Sequence, residues 1–147
     1  MSNYCYNEVH ASKEILDEIY DYNTKRVTFE KLLPIPKDVT NKYDWCLKNW
    51  GVGGDAFECS GVPEDELLVF GTHWNAPFNV VETLCKKYPN SDLDWYYDAE
   101  GLDFVSHWYS AVDGSVIDKM TPKRSYDEEE EDEREFEDFF EESEYEM

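Results

Sequence analysis

Hydrophobic and polar positions change period several times along the chain, and the changes mark out its elements. From residue 4 to 10 they alternate, with Cys5, Asn7 and Val9 on one side and Tyr6, Glu8 and His10 on the other, the pattern of a strand covered on one face. Ser12 then stands where a hydroxyl can take up an unpaired amide of a helix's first turn. Ile15, Leu16, Ile19 and Tyr20 follow at helical spacing, with Lys13, Glu14, Asp17, Glu18 and Asp21 as the wet face, and Asn23-Thr24 break the pattern. Residues 27–36 begin as extended chain; Pro34 and Pro36 remove amide donors, so this stretch reads as an edge segment running into a loop.

Residues 56–60 read as a strand and residues 61–65 as a turn. The strongest strand pattern is residues 67–74, rich in branched and aromatic residues and bounded by turn chemistry, which suits a central position. Pro77 fits the first turn of a second helix, in which Phe78, Val81, Leu84, Cys85 and Tyr88 form one apolar stripe ended by Pro89-Asn90. Leu93, Trp95 and Tyr97 alternate with Asp94 and Tyr96. Residues 102–112 form another strand, and Asp113-Gly114 turns the chain into a last short one at 115–117. The order predicts an α+β sandwich with a split β-α-β arrangement: one mostly antiparallel sheet, two helices on one face, and a C-terminal hairpin.

Residues 45–56 interrupt this order. Trp45 and Trp50 flank a short polar turn, and Gly51, Gly53 and Gly54 follow, so large buried rings lie beside a backbone free to adopt positive φ. Trp45, Trp50, Gly51 and Trp74 are therefore expected to form a structural corner.

Charge then divides the chain. The 147 residues carry 13 basic and 35 acidic side chains, a net charge of −22. Within residues 126–147, 14 acids stand against Arg134, leaving −13 there and −9 on residues 1–125. The expected organisation is one domain over 1–125 followed by an acidic, Phe-containing tail over 126–147, disordered or folding on binding. A negative field repels phosphate, which argues against direct nucleic-acid binding and favours a partner with a basic surface. No run approaches the roughly 18 apolar residues of a membrane span. With no secretory signal pattern and no close pair among Cys5, Cys46, Cys59 and Cys85, the expectation is a reduced protein of the cytoplasm.

Several short motifs in this order resemble the small phage and plasmid proteins with a YubB-type ferredoxin-like domain, over about residues 3–118. They are Asn3-Tyr4-Cys5-Tyr6-Asn7, Leu33-Pro34-Ile35-Pro36, Trp45-Cys46 with Asn49-Trp50-Gly51, Thr72-His73-Trp74 with Pro77, and Tyr88-Pro89. The chain departs from that family in two places: Tyr4 stands where Trp is usual, and Gly53-Gly54 lies where a Lys-Trp pair is usual. The resemblance implies a mobile-element origin and a ferredoxin-like topology with no iron–sulfur cluster, and a fold of this kind identifies no single function.

Candidate chemistry is sparse. His10, His73, His107 and the four cysteines lack the paired spacing of a zinc site, so no metal or other cofactor is expected. His73 or His107 could face Asp55, Glu58 or Cys59, but there is no nucleophile elbow, and Gly51-Val52-Gly53-Gly54 is not followed by the Lys-Ser/Thr of a phosphate loop. Tyr6, Trp95, Tyr96, His107 and Tyr109 could stack bases on an open sheet, a use opposed by the charge of the body.

The tail carries the strongest partner signal. Asp127, Glu128, Glu129, Glu130, Glu131, Asp132 and Glu133 form an unbroken acidic run, and Phe136, Phe139 and Phe140 follow at helical spacing. Apolar anchors among carboxylates suit docking into a groove with a basic rim. The expected function is a non-enzymatic phage or mobile-element accessory protein that binds and inhibits a host or defence protein by presenting carboxylates where phosphates would lie. The alternatives are a small ligand- or nucleotide-binding module between the sheet and the Trp corner, and an enzyme centred on His73 or His107. A homodimer through a sheet edge is left open.

Overall fold

The computed structural model of the protein describes residues 4–101 and 103–122. In chain order the elements are β1 (Tyr4–His10), a single helical turn α1 (Lys13–Leu16), the two-residue strands β2 (Tyr20–Asp21) and β3 (Arg26–Val27), and α2 (Lys42–Asn49). Then come β4 (Phe57–Val62), β5 (Leu67–His73), α3 (Phe78–Lys87), β6 (Asp94–Ala99), β7 (Phe104–Ser110) and β8 (Val116–Pro122). Six strands make one sheet in the order β4-β5-β1-β6-β7-β8, and β2-β3 is a separate small hairpin. Every pairing is antiparallel. β1 and β4 therefore run the same way with β5 between them.

Period-two alternation sorts the sheet's side chains onto two faces. Cys5, Asn7, Val9, Leu68, Phe70, Thr72, Trp95, Ala99, Ser106 and Trp108 are all buried on one face. α3 adds Val80, Val81, Leu84 and Cys85 to the same core. Edge-to-face rings run through it from Trp45 to Trp50 (5.9 Å), Phe29 (5.6 Å), Phe70 (5.9 Å) and Trp95 (5.6 Å), joining α2 to the middle of the sheet. Each such contact adds about 0.5–1.5 kcal/mol beyond the area it buries.

One polar side chain lies at the centre of this apolar layer. Asn7 is fully buried on β1. Its Oδ1 accepts the Trp95 indole N–H at 2.9 Å, while its Nδ2 donates to Thr72 Oγ1 at 3.0 Å and to the Cys5 carbonyl at 3.2 Å. An indole can only donate, so this bond fixes which way the Asn7 amide points. Thr72 Oγ1 then donates to the Asn75 carbonyl at 2.6 Å. The chain of bonds crosses β6, β1 and β5 and ends on the turn after β5.

Three expectations are corrected. The helix after Ser12 closes after one α turn and one 3₁₀ turn, because Tyr20–Asp21 pairs with Arg26–Val27 and draws the chain into a hairpin. Ile15, Leu16, Ile19 and Tyr20 are buried as their spacing predicts, but the Ser12 side chain makes no capping bond. The stretch between Trp45 and Trp50 is helical rather than a polar turn: α2 is capped by Asn41, whose Oδ1 accepts the Asp44 amide at 3.1 Å. β8 is longer than the short terminal strand expected and pairs with the whole of β7. The expected tail, 126–147, lies outside the described residues.

Replacing Asn7 with Ala strands the buried Trp95 N–H, removes the amide donor to Thr72 Oγ1, which keeps its own bond to the Asn75 carbonyl, and opens a small void. The expected loss is about 2–3 kcal/mol of unfolding free energy, from the desolvated indole N–H at about 1–3 kcal/mol with the void adding to it, read as a lower urea midpoint at unchanged slope. A midpoint within error of the parent would show that the amide chain adds nothing.

Candidate functional site

Two surfaces of the folded domain stand out, one at the Trp corner and one on the sheet face opposite α3. The corner begins with the Asn41 cap, reinforced by Asn41 Nδ2 donating to Asp44 Oδ2 at 2.9 Å. Cys46 and Trp50 turn inward from α2, and the Trp50 indole donates to the Leu33 carbonyl at 2.9 Å. Gly51 ends the helix at φ +93°, and a Cβ there would sit 2.9 Å from the Phe78 amide nitrogen. That left-handed geometry and close approach to α3 admit glycine alone.

The opposite side of α2 faces a cavity of about 570 Å³. Tyr43 and Leu47, 56% and 42% exposed, form one wall; the glycine run forms the floor; His73, Trp74 and Asn75 form the far wall. A Cβ at Gly53 would run into the Tyr43 ring. Trp74 is 61% exposed and left-handed at φ +71°. A bulky L-residue rarely adopts this conformation. The turn forces it: the Asn75 amide donates to the His73 carbonyl at 2.8 Å, and Thr72 Oγ1 holds the Asn75 carbonyl from beneath.

Trp50 is 1% exposed, and Trp45 packs edge-on against it. Trp74, expected in the same corner, stands at the cavity rim. The residues missed were Tyr43 and Leu47. Their i, i+4 spacing was the available signal, hidden once 45–50 was read as a turn.

On the sheet face opposite α3, Tyr96 stacks on His107 with centroids 4.3 Å apart and planes 14° apart, and Tyr109 flanks His107 at 5.0 Å. His107 Nε2 bonds Asp94 Oδ1 at 2.7 Å. On β1, Glu8 accepts the Tyr6 hydroxyl at 3.0 Å and bonds His10 Nε2 at 2.7 Å. His10 in turn meets the Tyr96 ring edge-on at 5.9 Å. Tyr6, Tyr96, His107 and Tyr109 therefore share a face as expected, whereas Trp95 lies on the covered one, fully buried.

The groups considered for acid–base or nucleophilic work are dispersed. Asp55 accepts from Thr28 Oγ1 at 2.6 Å and from the Phe29 amide at 2.8 Å, and the Cys59 thiol turns to the Val27 carbonyl at 3.9 Å. His73 packs on Phe57 with centroids 4.6 Å apart. Burial pushes the Cys5 thiol up to about 12 and Cys85 to about 11, and raises Cys46 and Cys59 in the same direction. All four are therefore thiols at neutral pH. Among the described residues no three His, Cys, Asp or Glu side chains gather as a metal site, and no helix is long and apolar enough to cross a membrane. The tail candidates, Asp127 to Glu133 with Phe136, Phe139 and Phe140, lie outside the described residues.

Residues 56–140 match the family described as the ferredoxin-like domain in Api92-like protein, which is more than half of the chain, and the protein belongs to that family. The match begins just before β4 and runs through β5, α3, β6, β7 and β8. No curated protein and no solved structure shows significant similarity to the chain.

The Glu8 pair has a pH consequence. The hydrogen bond with His10 holds the Glu8 carboxyl below its ordinary range, against the upward pull of partial burial. A carboxylate lowered on folding contributes stability above its unfolded pKa, lost as pH falls through its folded one. Glu8→Gln is therefore expected to lower the urea midpoint at pH 7 and to converge with the parent from about pH 4 downward. Parallel curves across that range would show that Glu8 carries none of the acid limb.

Proposed function

We propose that this is a non-enzymatic accessory protein of a phage or related mobile element that acts in the host cytoplasm. It binds a host or defence protein through carboxylate-rich surface and inhibits it by occupying a site that otherwise holds nucleic acid. The observation that carries this reading is the charge: −22 over 147 residues, with −13 concentrated in residues 126–147. Carboxylates at this density present negative charge to a basic cleft as phosphates do, and opposite charge speeds encounter. The acids at 127–133 and the anchors Phe136, Phe139 and Phe140 are the proposed tail contacts.

The test is capture from host lysate on the full chain and on a full-length variant with the acids at 127–133 replaced by their amides, followed by competition with duplex DNA. One basic, nucleic-acid-handling protein should be retained, released by DNA and by high salt, and reduced at least tenfold on the variant. Retention indifferent to salt, DNA and the tail acids would sink the proposal.

A second reading is favoured by the cavity of about 570 Å³ at the Trp corner, which lies within the usual size of ligand pockets and has an exposed, left-handed Trp at its rim. In this reading the protein is a ferredoxin-like module that binds a small planar ligand or nucleotide against Trp74. Trp74→Gly relieves a left-handed L-residue, so it should leave stability within about 1 kcal/mol of the parent while removing any thermal shift given by nucleotides. A nucleotide shift that survives the change would place the ligand elsewhere.

A further inference from the structure

The cavity at the Trp corner and the segment that follows β8 have complementary chemistry. Tyr43, Leu47 and Trp74 give the cavity its exposed apolar surface, and none of the described residues lining it is acidic. The helix α2 belongs to a cationic stretch. Residues 25–48 hold six basic side chains against three acidic ones, +3 within a chain of −22, and Lys42 and Lys48 stand exposed on α2 itself. The segment after β8 carries the converse: Phe136, Phe139 and Phe140 recur at helical spacing within residues 126–147, whose charge is −13.

We propose that residues 136–140 dock into this cavity within the same molecule, so that the protein in isolation holds its own acidic tail across α2. Such a contact needs neither a partner nor a ligand, and so goes beyond both readings above. Reach permits it. His73 ends β5 opposite Tyr4, Ala99 ends β6 opposite Cys5, and Pro122 ends β8 opposite Phe104, so the chain leaves β8 at the end of the sheet where the cavity lies. Four strand spacings separate β8 from β5, about 20 Å across the sheet. Residues 123–135 span about 40 Å when extended, twice that distance.

Charge and tethering select this occupant. A segment joined to the body by a short linker meets the cavity at an effective concentration of roughly millimolar order. A second copy instead brings a whole charge of −22 toward a body that is itself negative. The rings also suit the walls. Three Phe at i, i+3 and i+4 present one apolar face, able to pack edge-on or offset against Tyr43 and Trp74, while Glu137 and Asp138 between them complement the lysines of α2. The family match has the same extent: it starts at residue 56, beside the glycine floor of the cavity, and ends on Phe140, so the three rings fall within the matched domain.

The experiment is fluorine NMR of full-length protein grown with fluorotryptophan, with the shift of each resonance between light and heavy water read as its solvent access. The Trp74 signal is the one absent from Trp74→Gly. In the parent it should shift at most half as much as in a full-length variant carrying Phe136→Ser, Phe139→Ser and Phe140→Ser. The signals of the buried Trp50 and Trp95 should stay in place in both and so report an intact fold. Leu47→Glu, which keeps the tail complete and sets a carboxylate in the exposed wall of the cavity, is the second variant and should open Trp74 to solvent to a similar degree.

Shielding of Trp74 that holds at every dilution and is lost in both variants is the expected result. Equal exposure of Trp74 in the parent and both variants overturns the docking, and leaves the partner reading to its own capture experiment. Shielding that fades on tenfold dilution would put a second copy's segment in the cavity. Shielding that survives the triple Phe change would assign the cavity to another occupant, a small ligand included. Either outcome likewise overturns the proposal.

Discussion

The bond from the Trp95 indole to Asn7 is the constraint on which much of the rest depends. A buried amide in an apolar layer is tolerable only when its donors and acceptors are met, and a one-residue slip of β1 would turn Asn7 outward and leave the indole unpaired. The bond therefore holds the register of β1 against both of its neighbours. Because Thr72 passes the connection on to the Asn75 carbonyl, the same network sets the turn that carries Trp74. Core register and surface geometry are linked through side chains in direct contact.

The aromatic chain from Trp45 to Trp95 plays the complementary role. It brings α2, which has one buried residue of its own, into contact with the core through Trp50 and Phe29. With its inner side anchored this way, α2 presents Tyr43 and Leu47 outward to the corner cavity. The sheet face opposite α3 is held differently. α3 packs on the other side, and among the described residues the rings and acids of β1, β6 and β7 on this face bond to one another. Membership of the Api92-like ferredoxin-like family accounts for the antiparallel sheet and leaves the use of either surface to be argued from its own chemistry.

Much of this was legible in the chain because strand periodicity is local. Residues 4–10, 67–73, 94–99 and 104–110 alternate or run apolar in ways that only a sheet satisfies, and Asp113-Gly114 marks its hairpin. Less legible was the Trp corner. Asn41 and Asp44 form a helix start of the kind that capping chemistry allows, but with Trp45 and Trp50 dominating the stretch, the four-residue spacing of Tyr43 and Leu47 did not register. The helix expected after Ser12 failed for the opposite reason: its apolar spacing was right and its side chains are buried, yet hairpin pairing at Tyr20–Val27 outweighed a weak local preference.

The sequence by itself determined the period of β1, β5, β6 and β7, the shared side of Cys5, Asn7 and Val9, the acidic character of the whole and its concentration after residue 125. These follow from residue order and composition, which act locally or add by simple summation. Only the tertiary structure decided that Trp95 faces Asn7 and not solvent, that Trp74 stands exposed on a left-handed turn, and that Glu8, Asp94 and Asp98 share a face with Tyr6, Tyr96 and Tyr109. Each of those depends on which strands become neighbours and in what register, and pairing between segments as distant as β1 and β6 is set by the packing of the whole core.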